Sequence, residues 1–126
     1  VYNVFIGYDE KLSHLIYAGA DFLLMPSRVE PCGLNQLYSL RYGSIPVVRS
    51  IGGLKDTVVD IEDDGFGFAH AEASKKDISK TINRAVEFYK EERTLKKTRK
   101  YIMSIDHSWN VSAQQYIDLY NSLKSG

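Results

Sequence analysis

The sequence is short of most features that would single out a function class. It has one cysteine, Cys32, so no internal disulfide can form, and a reducing compartment is expected. It has no surplus of either charge, since 16 Lys and Arg balance 16 Asp and Glu. Electrostatics therefore makes no case for nucleic acid or an anionic membrane as partner. No run approaches the ~18 apolar residues of a membrane span, and the opening residues carry no signal-peptide pattern. The histidines, His14, His70 and His107, are too scattered to suggest a zinc site. Repeats, low-complexity segments and a clear linker are all lacking. These absences lead us to expect a cytoplasmic globular chain. The sequence also lacks an initial methionine and enters an apolar run at once, which reads as a fragment of a longer protein.

What is present is enough to build one domain. Of 126 residues, 44% are hydrophobic, so a core can form. Short apolar runs alternate with helical periodicity. Val1 to Ile6 reads as a strand ended by Gly7, and Asp9 to Gly19 as a helix with acids in its first turn. Phe22 to Met25, stopped by Pro26, suits a strand buried on both faces. Leu34, Leu37, Tyr38 and Arg41 lie along a second helix that Gly43 closes. Ile45 to Val48 reads as a third strand, Gly52-Gly53 as a break before a short helix at Leu54 to Val59, and Phe66 to Ala69 as a weak fourth strand. Beyond residue 72 the pattern is helical. Ser74 to Asp77 resembles a capping box, and Ile78, Ile82, Ala85, Val86 and Tyr89 form an apolar stripe. A helix follows over Glu91 to Met103, with five basic residues between Arg93 and Lys100 on a solvated face. Ser108 or Asn110 can cap the final helix, Trp109 reads as its anchor on the core, and Ala113, Tyr116, Ile117, Tyr120 and Leu123 share one side of it.

Strands alternating with helices predict an α/β fold, a Rossmann-like parallel sheet with flanking helices followed by C-terminal helices. Ligands bind such sheets beyond the carboxyl ends of the strands. Three segments fall there: Gly7 to Glu10, Pro26 to Asn35, and Arg49 to Leu54. In the middle segment the chain turns through Pro31 and Gly33 and opens a helix, whose unpaired N–H groups can hold phosphate. Gly33 permits close approach to the backbone, and Glu30 can reach hydroxyls on whatever the phosphate carries. A tight loop with Glu30 as a capping carboxylate is an equally open reading of the same residues. Tyr8 can offer a ring face to a base, or be partial core. Cys32 near a helix start can be a reactive thiol, but it ranks below a small lining residue because no histidine is near in sequence.

Several blocks carry a closer resemblance. Ile6 to Glu10, Ala18 to Phe22, Met25 to Gly43, Pro46 to Arg49, Gly52 to Val58, Asp64 to Phe68 and His107 to Trp109 resemble bacterial glycogen synthases and plant starch synthases. Glu30 to Leu40 is the most specific of these blocks, whereas Ala73 to Tyr101 resembles the family in pattern alone. The resemblance implies a retaining glucosyltransferase with two Rossmann-like lobes, the GT-B architecture. This chain would be the later part of its C-terminal, nucleotide-sugar-binding lobe, with donor-site loops in residues 1–72 and a helical portion in 73–126. It implies ADP-glucose as donor, an α-1,4-glucan as acceptor, the N-terminal lobe of the same enzyme as partner, and no metal or cofactor. The location implied is the bacterial cytoplasm, or the plastid for a plant protein. By resemblance Tyr8 stacks on adenine, Glu30 holds glucose hydroxyls and places the donor, and the backbone at Cys32, Gly33 and Leu34 meets sugar and phosphates. Asn35 stands where many relatives have Thr near the phosphates. Tyr38 takes the position of a second glutamate found in the broader retaining group. The basic phosphate clamp is expected upstream of Val1, so this piece alone is expected to be inactive. Two other readings are a GT-B enzyme using UDP-glucose or another acceptor, such as sucrose synthase, and a non-catalytic flavodoxin-like nucleotide-binding or signalling module.

Overall fold

The computed structural model describes residues 2–124. Its element order is α1 (Glu10–Gly19), β1 (Phe22–Met25), α2 (Asn35–Tyr42), β2 (Ile45–Arg49), α3 (Gly52–Thr57), a 3₁₀ turn (Ile61–Asp63), β3 (Phe68–His70), α4 (Lys75–Tyr89), α5 (Glu92–Ser104) and α6 (Trp109–Lys124). The sheet runs β1-β2-β3, with both neighbouring pairs parallel. Phe22 stands beside Ile45 in the first pair, and Val47 beside Phe68 in the second.

The central strand explains the core. Ile45, Val47 and Val48 are buried, and with Met25, Leu40, Leu54, Phe68, Leu95 and Ile102 they make one hydrophobic cluster. Pro46 is tolerated at the strand's second residue, where the ladder is only beginning. Gly43 ends α2 in the left-handed conformation at φ 78°, and the Gly43 and Ser44 amides bond back to the last turn. At the start of α1, Asp9 caps the helix by accepting from the Leu12 amide at 2.9 Å.

Several expectations are corrected. Residues 2–6 form no strand, and Val1 lies outside the described residues. Extended backbone becomes a strand only when a neighbour takes its hydrogen bonds, and this segment joins no ladder. The sheet therefore has three strands among the described residues rather than four. β1 is not buried on both faces. It is an edge strand, and Leu24 is 43% exposed.

On α4 the apolar stripe faces inward only in part, at Ala85 and, half-buried, at Ile78. Thr81 and Ala85 are buried, with Phe88 packed edge-on to Phe68 at 5.5 Å, whereas Ile82, Val86 and Tyr89 are exposed. The helix has turned so that positions 81, 85 and 88 meet the sheet, and Ile82, Val86 and Tyr89 flank that contact. The capping box is half formed. Ser74 Oγ accepts from the Asp77 amide at 3.2 Å, but Asp77 Oδ2 accepts from the Glu72 amide at 2.8 Å. That Glu72 amide does most to hold the Asp77 carboxyl below its ordinary value.

Trp109 is no anchor either: it is 85% exposed, and no residue of α6 is buried. The stripe of Tyr116, Ile117, Tyr120 and Leu123 faces solvent with it. Because α6 begins at Trp109, Ser108 flanks the helix and Asn110 lies inside it. The Ser108 amide donates to Asp106 Oδ1 at 2.8 Å.

Candidate functional site

The loop after β1 and the loop after β2 meet at the carboxyl end of the sheet. Pro26 stops β1, and residues 26–34 return the chain to the start of α2. Two side chains pin this loop from outside it. Arg49, at the end of β2, donates from Nη1 to the Arg28 carbonyl at 2.9 Å and from Nε to the Ala71 carbonyl at 3.1 Å. Gln36, fully buried in the first turn of α2, donates from Nε2 to the carbonyls of Cys32 (3.2 Å) and Gly33 (2.9 Å), and to Thr57 Oγ1 (3.1 Å). Thr57 Oγ1 in turn donates to the Gly53 carbonyl at 2.7 Å.

The glycine pair forms the floor. The Gly53 amide donates to the Pro31 carbonyl at 3.1 Å. A Cβ at Gly52 would fall 1.9 Å from the Glu30 carbonyl oxygen, and one at Gly53 equally close to that of Cys32. The two backbones approach so closely that only glycine fits.

This packing dictates where the loop's donors point. Among the described residues every peptide is trans, so a carbonyl and the N–H that follows it point in opposite directions. The carbonyls of Pro31, Cys32 and Gly33 all turn toward α3 and Gln36. The N–H groups of Cys32, Gly33 and Leu34 therefore turn away, and among the described residues none of the three donates a hydrogen bond. Successive amides aligned in this way form a nest of free donors, the kind of concavity in which an anion can be held. It opens directly onto α2, whose N-cap, Leu34, supplies no side-chain cap, so the first amides of that helix reinforce it.

Glu30, half-buried, sits at the edge of this concavity, and its Oε2 accepts from Ser27 Oγ at 3.2 Å. Among the described residues the carboxylate makes no capping bond to α2, so the capping reading of Glu30 does not hold here. The Cys32 thiol is free and exposed. Leu34 is exposed at the helix entrance, and Asn35 opens the helix with its side chain in solvent. Glu30, Cys32, Gly33, Leu34 and Asn35 thus occupy one continuous rim. Tyr8 lies on the segment before α1 and is 88% exposed. The adjacent Asp9 is used as a helix cap.

Larger hollows among the described residues lie elsewhere. One of about 710 Å³ between α2 and the α5–α6 connection, lined by Leu37, Tyr38, Arg41 and Asp106 among others, reaches the rim only at Leu34. Another of about 910 Å³ runs beneath α4 beside Phe68 and Phe88 and includes no rim residue. The rim itself is an open surface.

Reading the sequence singles out the rim residues but passes over those that shape it, Gln36, Thr57 and Arg49. A signal existed for two of them. A glutamine three residues after a turn glycine lies under that turn once a helix starts, and an arginine ending a buried strand must find carbonyls at the sheet's edge.

Comparison with known proteins places this arrangement. Residues 3–101 match the family described as Glycosyl transferases group 1. The chain is 58% identical over 120 residues to a glycogen synthase of Flavobacterium johnsoniae, covering 95% of this chain and 25% of that protein. It is 50% identical over 125 residues to a glycogen synthase of Rhodospirillum rubrum, covering 98% and 26%. Among solved structures it superposes on the catalytic domain of starch synthase IV from Arabidopsis thaliana bound to ADP and acarbose, with a TM-score of 0.84 and 43% identity, over 96% of this chain and 26% of that one. Sucrose-phosphate synthase from Thermosynechococcus elongatus follows at a TM-score of 0.71 and 25% identity, over 97% and 30%. The chain spans about a quarter of the length of the glycogen synthases it matches. The parallel sheet with flanking helices is the Rossmann-like architecture of a GT-B C-terminal lobe, and the expected resemblance to glycogen and starch synthases holds. On the family match over residues 3–101, this chain belongs to the group 1 glycosyl transferases.

Proposed function

We propose that this chain forms the later part of the donor-binding lobe of an enzyme that transfers glucose from ADP-glucose to the non-reducing end of an α-1,4-glucan, with retention of configuration. One observation carries the proposal: three successive amides, at Cys32, Gly33 and Leu34, face outward over an uncapped helix start with the Glu30 carboxylate beside them. Breaking the bond between the anomeric carbon and the phosphate oxygen leaves negative charge on the departing diphosphate. Fixed N–H donors at Gly33 and Leu34 stabilise that charge as it develops. Glu30 accepts from glucose hydroxyls and holds the ring in place, a positioning contribution. Tyr8, with an exposed ring, covers the adenine face. No metal or cofactor is invoked. The starch synthase it superposes on was solved with ADP and acarbose, which supports a nucleotide and a glucan as ligands.

The wall facing this rim would be the N-terminal lobe of the same enzyme, so this chain by itself is expected to transfer no glucose. The test uses the full-length enzyme carrying this chain. Glu30→Gln should cut glucose incorporation from ADP-glucose by roughly 100-fold, the scale of a lost positioning contact. Wild-type turnover would remove Glu30 from the site. Competition between ADP-glucose and UDP-glucose decides the donor, and preference for UDP-glucose would overturn that part of the proposal.

A further inference from the structure

We propose that Gln36 is a positioning residue for glycosyl transfer, whose side-chain amide sets the outward direction of the Gly33 and Leu34 N–H groups. This rests on the donor reading above. Gln36 touches no ligand in this scheme and acts through the loop.

The orientation of the amide follows from its surroundings. Its nitrogen faces two carbonyl oxygens, Cys32 O and Gly33 O. Rotating the group by half a turn would bring Oε1 against both, oxygen to oxygen, so the NH₂ end must lie toward the loop. Two hydrogens then serve three acceptors, at 2.9, 3.1 and 3.2 Å. Thr57 fixes the amide from the other side, and its own hydroxyl proton goes to the Gly53 carbonyl. A continuous chain of hydrogen bonds thus runs from α3 through Thr57 and Gln36 to the two carbonyls whose peptides present the anion-binding N–H groups.

The opposite end of the same amide packs under the turn glycine. Gln36 Oε1 is buried and accepts no hydrogen bond from the described residues. It lies under Gly33, 2.5 Å from where a Cβ on that residue would be, and Gly33 itself has a left-handed φ of 75°. The loop above it has its carbonyls drawn inward at two successive peptides, Cys32 and Gly33. Remove the NH₂ group and no other donor among the described residues bonds to those carbonyls, so either peptide can rotate and carry its N–H away from the phosphate position.

Two variants of the full-length enzyme test this. Gln36→Met keeps the side-chain length and removes the donor. We expect the KM for ADP-glucose to rise at least tenfold and kcat to fall, with the KM for glucan unchanged. Thr57→Val, which leaves Gln36 and the loop in place, should shift the donor KM in the same direction by a few-fold. A purely structural role would lower the active fraction alone and leave the donor KM at its wild-type value in both variants, and that result overturns the assignment. Should Gln36→Met fail to fold in a thermal scan, Thr57→Val and hydrogen exchange of the wild-type Gln36 side-chain amide decide. Exchange slowed well below that of a free glutamine supports the assignment, and exchange at the free rate overturns it. Failure of the donor reading is visible separately, as normal donor KM and turnover in Glu30→Gln. Failure of the Gln36 assignment appears as a normal donor KM in Gln36→Met while Glu30→Gln is impaired.

Discussion

Gly53 lies directly beneath Cys32: a Cβ on Gly53 would sit 1.9 Å from the Cys32 carbonyl oxygen and 2.6 Å from its Cα. The obstacle is backbone, so it cannot swing aside as a flexible side chain would. Gly53→Ala must therefore push the loop of residues 30–33 off α3, breaking the Gly53 amide bond to the Pro31 carbonyl. Overpacking of this kind costs about 1–3 kcal/mol. Urea unfolding of the chain should show that loss, and ADP-glucose binding by the full-length enzyme should weaken with it. An unchanged unfolding midpoint would mean that the two loops do not abut in solution.

A second prediction concerns pH. Burial pushes the Asp60 carboxyl upward, but the Arg84 guanidinium and the amides of Glu62 and Ala69 outweigh it and hold the group below its ordinary value. The side chains of Asp60 and Arg84 are only 11% and 21% exposed. A carboxylate with a lowered folded-state pKa contributes stability that is fully present above its unfolded pKa of about 3.9. That contribution disappears as pH falls through this value toward the lower folded one. Acid titration at fixed urea should therefore show destabilisation beginning near pH 4, and Asp60→Asn should remove that part of it. At pH 7 the same variant should lose about 1.5–3 kcal/mol, the range for hydrogen bonds to a charged group. The strand β3 should suffer first, because Asp60 Oδ2 accepts from the Ala69 amide at 2.6 Å.

These two cases show which parts of the molecule a sequence exposes. Phe22 to Met25 and Ile45 to Val48 are legible because unbroken apolar runs between turn residues have few alternatives. The rim from Glu30 to Asn35 is legible because Pro31 and Gly33 force a turn into a helix start. What holds the rim is not legible in the same way. Thr57 and Gln36 are 21 residues apart, and Asp60 and Arg84 are 24 apart. Such pairings depend on how α3 and α4 dock, which no local pattern encodes. The errors share one cause. The stretch from Tyr2 to Ile6, Leu24 in β1, Val86 in α4 and Trp109 in α6 are apolar residues read as buried or paired, yet each faces solvent here. Apolar character states a preference for burial, and only neighbouring elements can satisfy it.

Tyr8 tests the nucleotide side of the proposed function without disturbing the fold. With its ring 88% exposed, Tyr8→Ala should shift the unfolding free energy by less than about 0.5 kcal/mol. Stacking of an aromatic ring on a base is worth about 1–3 kcal/mol, so the KM for ADP-glucose in the full-length enzyme should rise several-fold or more. Tyr8→Phe, which retains the stacking surface, should remain near wild type. A normal donor KM in Tyr8→Ala would take the tyrosine out of the site.

Trp109 and Leu54 make a contrasting pair for the final prediction. Both are large apolar residues, and size alone would rank the tryptophan as the greater loss. Leu54 is fully buried between α2 and β2, whereas Trp109 opens α6 with 85% of its surface exposed. Truncating a buried leucine removes its transfer energy and leaves a cavity, about 2–5 kcal/mol in total. Truncating an exposed tryptophan removes neither, so Trp109→Ala in this chain should change stability by less than about 0.5 kcal/mol. The fluorescence of Trp109, the sole tryptophan in the sequence, reports its surroundings directly. Its emission should be that of a solvated indole in the folded chain and should move little on unfolding. A large red shift on unfolding, together with a multi-kcal loss in Trp109→Ala, would show that α6 folds back onto the core in solution and covers the face that stands open here.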